Sequence, residues 1–238
     1  MNIELIRRNE CISMTEAYMK NKLYKSDGWL KSPIKTVRDI LPLLRELKDD
    51  CRILDLGCGV GRNSIFLANE LSGCTIDCVD ILEIAIEKLA ENAMEHGVDD
   101  KIKCIVDSIE SFRISASSYD LIMAISALEH VESEDVFATK LVDIRDGVRH
   151  KGVVCLVVNT DINECNIISK ESLSPQFEVN LSHEKVRHYL FDVFSGWTVI
   201  KDSLSHQEYE LPRGTITSRL STNVVTFVAQ KTENITLD

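Results

Sequence analysis

Hydrophobic residues along the chain fall into short apolar runs separated by amphipathic stretches. Cys51–Leu56, Cys74–Asp80, Lys101–Val106, Tyr119–Ser126 and Gly152–Val158 read as strands, the last suited to a central parallel position. Between them Arg62–Leu71, Leu82–His96 and Asp135–Arg149 read as helices. In the second of these, Ile86, Leu89, Ala90 and Ala93 form one buried stripe, and Gly97 follows as a C-terminal cap. Residues 1–50 read as helical: Thr15 caps a helix from Ala17 to Lys25, and Pro33 opens another from Ile34 to Leu47. The turn between them, Tyr24 to Trp29, carries two aromatics. Beyond the fifth strand, residues 161–182 are polar and irregular, and Val186–Phe194 is a helix. Trp197–Leu211 and Thr222–Lys231 are successive strands joined across Leu211 to Gly214, with no helix between. Alternation of strands and helices predicts parallel βαβ units, so the fold class is α/β, a mostly parallel sheet ending in an antiparallel hairpin.

Composition narrows the function. The 238 residues are 44% apolar and 27% charged, enough for one α/β domain with decoration. A net charge of −11 carries no basic footprint, so neither nucleic acid nor anionic lipid is an expected partner. Met1 to Arg8 lacks the apolar run of a signal peptide and no stretch reaches a membrane-spanning length, which makes the cytoplasm the expected location, with no membrane partner. Eight cysteines include no Cys-x-x-Cys pair, so neither a disulfide framework nor a metal is expected.

The chemistry-bearing segment is Asp55-Leu56-Gly57-Cys58-Gly59-Val60-Gly61. A glycine-rich turn after the first strand lies at the carboxyl edge of the sheet, where ligands bind. A dinucleotide fingerprint needs a third glycine where this chain has Arg62. Asp80, ending the second strand, offers two oxygens to the hydroxyls of a ribose, or alternatively caps the helix that follows. Asp107 follows the third strand.

Together with Tyr119-Asp120 through Glu129-His130-Val131, these residues resemble the class I S-adenosylmethionine-dependent methyltransferases over about residues 51–160. The resemblance implies a Rossmann-like seven-stranded sheet flanked by helices. It implies S-adenosylmethionine as cofactor, S-adenosylhomocysteine as product, and methyl transfer to a small-molecule acceptor by in-line displacement. The implied cofactor residues are Asp55, Gly57, Cys58, Gly59, Gly61, Asn63, Asp80, Ile81, Asp107, Ser108, Ile109, Ile125 and Ser126. Asp55 stands for the cationic end of the cofactor and Asp107 for the adenine amino group, with Ile81 and Ile109 flanking the ring. Residues 1–50 are then an N-terminal helical extension and cofactor flap. Residues 51–238 are the methyltransferase domain, with 161–221 as acceptor-binding decoration.

Gly61-Arg62-Asn63-Ser64 and the helix before Ser195-Gly196-Trp197 are similar to the tellurite-resistance branch of small-molecule methyltransferases, although Ser203–Ser221 is longer than that branch needs. His130 and Glu129, after the fourth strand, are the candidate proton-handling residues. Tyr24, Trp29, Asp161 and Arg187 are the candidate acceptor-binding residues, with Asn163 and His188 beside them. Alternatives are a catalytically silent cofactor-binding subunit and an NAD-type oxidoreductase. Monomer and homodimer are both compatible with the sequence.

Overall fold

A computed structural model describes residues 3–25, 28–46 and 50–232. Ser26 and Asp27 of the expected turn, and Leu47 at the end of the expected second helix, lie outside these. The helices are α1 (Ile3–Lys20), α2 (Lys35–Arg45), α3 (Ser64–Glu70), α4 (Glu83–Glu95), α5 (Glu134–Gly147) and α6 (His183–Val193). The strands are β1 (Cys51–Leu56), β2 (Cys74–Asp80), β3 (Ile102–Val106), β4 (Tyr119–Ile125), β5 (Val148–Asn166), β6 (Ser172–Leu173), β7 (Thr198–Arg213) and β8 (Ile216–Gln230). They form one sheet in the order β3-β2-β1-β4-β5-β8-β7, with β6 paired to β5 off that path. β1 to β5 run parallel, and β8 and β7 are antiparallel.

The central strands are apolar on both faces because both faces are covered. Ile53, Ile76, Cys78, Leu121, Met123 and Cys155 pack with α2, α3 and α4. Their neighbours Leu54, Val79, Ile122, Ala124, Leu156 and Phe227 pack with α5 and α6 on the other side. Four of the eight cysteines are thus buried in these strands as small hydrophobes, and all eight are free thiols. Ser133 and Ser182 cap α5 and α6 by accepting from the backbone N–H groups of Val136 and Lys185. Among the described residues no helix is long and apolar enough to cross a membrane.

Four expectations are corrected. Thr15 lies inside α1, which begins at Ile3, instead of capping a helix at Ala17. The segment Asn21–Lys25 is outside that helix, and Trp29–Lys31 is a short 3-10 turn. β5 does not stop at Val158. It continues through a bulge between Thr160 and Asn163 to Asn166, so 161–166 is strand, and β6 adds an eighth strand to the seven expected. The final hairpin is longer than expected at both strands and turns after Arg213, with Gly214 at φ 62°. Pro212 sits in β7, the outer strand of the sheet, where a missing N–H is tolerated.

Candidate functional site

The parallel strands deliver their carboxyl ends to one edge, and a cleft lies there in two compartments. Gly57 turns the chain out of β1 with φ 71°, and the N–H groups of Gly57 and Cys58 both donate to the Val79 carbonyl at 2.8 and 3.0 Å. A Cβ at Gly57 would lie 2.4 Å from that of Ala127, so the turn has room for hydrogen only. Gly59 donates its N–H to Asp80 Oδ2 at 2.8 Å, while Asp80 Oδ1 accepts from Leu82 N at 2.9 Å. The helix-start contact considered for Asp80 is therefore present, and the same carboxylate also ties down the glycine loop. Each oxygen keeps acceptor capacity beyond one bond. Burial pushes the Asp80 carboxyl upward.

The smaller compartment, about 180 Å³, is lined from the sheet side by Asp80, Ile81, Ser108, Ile109, Ser126 and His130. α1 closes it with Arg7, Glu10, Met14 and Tyr18. The larger compartment, about 560 Å³, is lined by the loop residues Gly57 to Val60, by Arg62, Asn63, Ile125 and Ser126, and by Trp29. Its far wall comes from Ser205, Gln207 and Tyr209 of β7, Leu220, Val224 and Thr226 of β8, Asn159, and Phe177. Met14, Tyr18, Gly57 and Ser126 line both compartments.

Ten of the thirteen residues expected at a cofactor line this cleft. Of the other three, Gly61 sets the packing of the loop: its Cβ would meet Leu89 at 2.4 Å. Asp55 is 1% exposed beneath the loop and accepts from the Ser64 hydroxyl at 2.5 Å. Burial pushes its carboxyl up to about 7, against the Ser64 bond and with Asp80 adding to the rise. Asp107 Oδ1 accepts from Ser108 N at 2.8 Å and Ser111 Oγ at 2.7 Å, which shapes the turn after β3.

The two proton-handling candidates separate. Glu129 is buried and lines neither compartment; its Oε1 accepts from the backbone and side-chain amides of Asn159. His130 lines the smaller compartment, stacked on Phe177 at 4.9 Å, with Nδ1 3.2 Å from both Glu10 and Glu178. Burial works against the imidazolium, but bonds to Glu10 and Glu178 outweigh it and push His130 up from 6.5 to about 10. It is thus a cation at neutral pH, with no lone pair for a base's role. Arg7 binds the same Glu178 and also Glu110, so two cations face three carboxylates. The Glu10, His130 and Glu178 ligand-type atoms lie within 4.8 Å of one another, as do those of Asp161, His183 and Glu184.

This cluster has a pH signature. A histidine whose pKa is raised on folding contributes stability that is complete below about 6.5 and is lost as pH climbs through about 10. His130→Gln should therefore lower the melting temperature at pH 6, with the gap to the parent narrowing as pH rises to about 10. A gap constant with pH would show that the ion cluster does not stabilise α1 on the sheet.

Of the acceptor-binding candidates only Trp29 lines the cleft, 45% exposed. Tyr24 donates its hydroxyl to the Arg62 carbonyl at 2.5 Å and sets its ring edge-on to His96, pinning the N-terminal segment instead. Asp161, at φ 49° in the β5 bulge, accepts from His183 and Asn223 and holds the start of α6. The Asn163 amide donates to the Asp161 carbonyl at 2.8 Å. Arg187 pairs with Asp202. The cleft residues missed by sequence reasoning include Met14 and Tyr18 on α1, Asn159 on β5, Phe177 and Glu178 between β6 and α6, and Ser205, Gln207 and Tyr209 on the hairpin. For the last three, alternation along β7 is the one local signal.

A family model described as a methyltransferase domain matches residues 53–152. A ubiquinone biosynthesis O-methyltransferase of Rickettsia canadensis (strain McKiel) is 36% identical over 90 residues, 38% of this chain and 36% of that protein. The chain spans between 21% and 36% of the length of the first curated relatives it matches. Among solved structures, TehB from Haemophilus influenzae is similar with a TM-score of 0.63 at 20% identity, over 87% of this chain and 64% of that one. The Burkholderia thailandensis 1,6-didemethyltoxoflavin-N1-methyltransferase is similar with a TM-score of 0.61 at 16% identity, over 97% of this chain and 89% of that one. Likenesses at these identities show the fold.

Proposed function

We infer that this chain, whose residues 53–152 match a methyltransferase-domain model and whose fold resembles that of TehB, is a class I S-adenosylmethionine-dependent enzyme that methylates a small-molecule acceptor. The observation that carries this reading is the cleft itself. Two compartments, one suited to a nucleoside and one to a second molecule, meet at Gly57 and Ser126 on the carboxyl edge of the sheet.

The residues fit the cofactor. Asp80 turns a carboxylate with spare acceptor capacity into the smaller compartment, where vicinal hydroxyls would bind. Ile81, 51% exposed, and Ile109 flank a slot for a flat ring beside Ser108. Gly57 keeps backbone in place of a side chain where the compartments join. Cys58, Gly59 and Asn63 border the larger side, where the amino-acid end would lie. When bound, S-adenosylmethionine supplies a methyl carbon on a cationic sulfur that leaves as the neutral sulfide of S-adenosylhomocysteine. The chain's own contribution is position: orienting two reactants in line is worth roughly 7–11 kcal/mol.

A small acceptor is favoured because the larger compartment is walled by α1, the hairpin and Phe177, at a volume within the roughly 300–1,000 Å³ of small-molecule sites. The Burkholderia protein is named for methylation of 1,6-didemethyltoxoflavin, with which it was solved. In the N-terminal extension, residues 1–50, taken as the flap, α1 is the closing element. The acceptor wall is the hairpin, which extends beyond the expected 161–221 to Val224 and Thr226.

The test is calorimetry with S-adenosylhomocysteine, followed by product release across thiol, amine, oxyanion and chalcogen acceptors. Saturable one-to-one binding in the micromolar range is expected, with turnover of at least one class. Tight binding without any product would favour the silent-subunit reading, and no binding would end both.

A further inference from the structure

The larger compartment is chemically one-sided. Among the described residues lining it, Arg62 is the single charged side chain, and no Asp, Glu, His or Lys lines it. Arg62 forms no ion pair among the described residues. Its Nη1 donates to the Trp29 carbonyl at 2.6 Å, and its guanidinium lies 5.3 Å over the Trp29 ring. A guanidinium presents five donors in a planar fork, so most remain for a ligand. Tyr18, Phe177 and Tyr209 add aromatic surface around it.

The wall also lacks a base. Its weak acids are Tyr18, Cys58 and Tyr209, and burial pushes all three upward, so they stay protonated near neutrality. His130 lines the other compartment with Nδ1 held between Glu10 and Glu178. Glu129 lines neither compartment, and its Oε1 accepts from the two amides of Asn159.

Resting on the methyltransferase reading, we propose that the acceptor is a planar aromatic anion, held by Arg62 over Trp29, whose attacking atom arrives with a free electron pair. Heteroaromatic nitrogens, acidic phenolates and aryl thiolates have that character. The acceptor's electron pair forms the bond to the methyl carbon as the carbon–sulfur bond breaks and its electrons stay on sulfur. The acceptor gains one unit of positive charge, and no proton passes to the protein.

The test uses protein loaded with S-adenosylhomocysteine and two probes of one shape, 2-naphthoate and 2-naphthamide, followed by calorimetry. The carboxylate should bind about tenfold or more tightly than the amide, as a charge-assisted bidentate contact requires. Arg62→Gln should bring the two within about twofold while leaving S-adenosylhomocysteine affinity unchanged. Gln207→Glu, which adds a like charge to the wall at a hairpin position, should weaken the naphthoate alone. With thiophenol and 4-nitrothiophenol as acceptors, the pH midpoint of turnover should follow each thiol's own pKa. Equal affinity for the two naphthalene probes would overturn the proposal. So would loss of S-adenosylhomocysteine binding in Arg62→Gln with the naphthoate preference intact, because the guanidinium would then serve the cofactor's carboxylate. A pH midpoint common to both thiols would reveal a protein base. Failure of the parent protein to bind S-adenosylhomocysteine would instead defeat the methyltransferase reading beneath the proposal.

Discussion

Gly57→Ala is expected to abolish measurable S-adenosylhomocysteine binding and to lower stability by roughly 2–5 kcal/mol. Two terms add. An L-residue held in the left-handed region costs about 1–2 kcal/mol, and Gly57 is held at φ 71°. Its new methyl group would also stand 2.4 Å from Ala127 Cβ, and overpacking of that kind costs about 1–3 kcal/mol. The strand end and the start of the turn after β4 would have to part, which moves both walls at the junction of the compartments. Gly97→Ala separates the terms. It has a similar φ of 66° but nothing within 4 Å of its Cβ, so only the backbone cost should appear, with cofactor binding intact. Thermal melts and calorimetry of both variants check this, and equal destabilisation would show that the Ala127 contact is readily relieved.

The second large effect is expected at Asp80. Replacement by Asn removes a charged acceptor facing both Gly59 N–H and the smaller compartment, and should weaken S-adenosylhomocysteine binding by about 1.5–3 kcal/mol, roughly 10- to 150-fold. Loss of the Gly59 contact alone also predicts some weakening, through a looser loop. A double cycle divides the two causes. Adenosine should lose affinity in the variant, whereas 2′,3′-dideoxyadenosine, which has no hydroxyls to bind, should lose little. The same loss for both nucleosides would assign Asp80 to loop support and remove it from ribose recognition.

Much of this architecture was legible because the signals are local. β1 and β2 match their expected bounds, since each is an apolar run closed by an acid or a glycine at the sheet edge. The strand-end residues Asp80, Ile81, Ser108, Ile109, Ile125 and Ser126 reach the cleft for the same reason. What stayed hidden depends on partners distant in sequence. β5 read as ending where polar residues begin, yet Glu164 is buried because Arg213 and Ser218, about fifty residues away, supply its hydrogen bonds. The first two turns of α1 carry no clear apolar stripe. Arg7 and Glu10 on it meet charges at Glu110, Glu178 and His130, so ionic contacts stand where a periodic pattern would look for hydrophobic ones. Tyr24 and Arg187 have the chemistry of ligand-binding residues, but each is engaged within the protein.

The wall built by the hairpin has a reading frame. Ser205, Gln207 and Tyr209 face the larger compartment because alternate residues of a strand share a side, and their β8 counterparts are Val224, Thr222 and Leu220. The frame is set after the irregularity between Val199 and Lys201. From there to the tip, gaining or losing one residue exchanges the inward and outward sets, while gaining or losing two preserves them. Point substitutions can therefore retune this wall one side chain at a time. Length changes preserve the inward set only in pairs, so variation in acceptor choice through this hairpin should come in even steps.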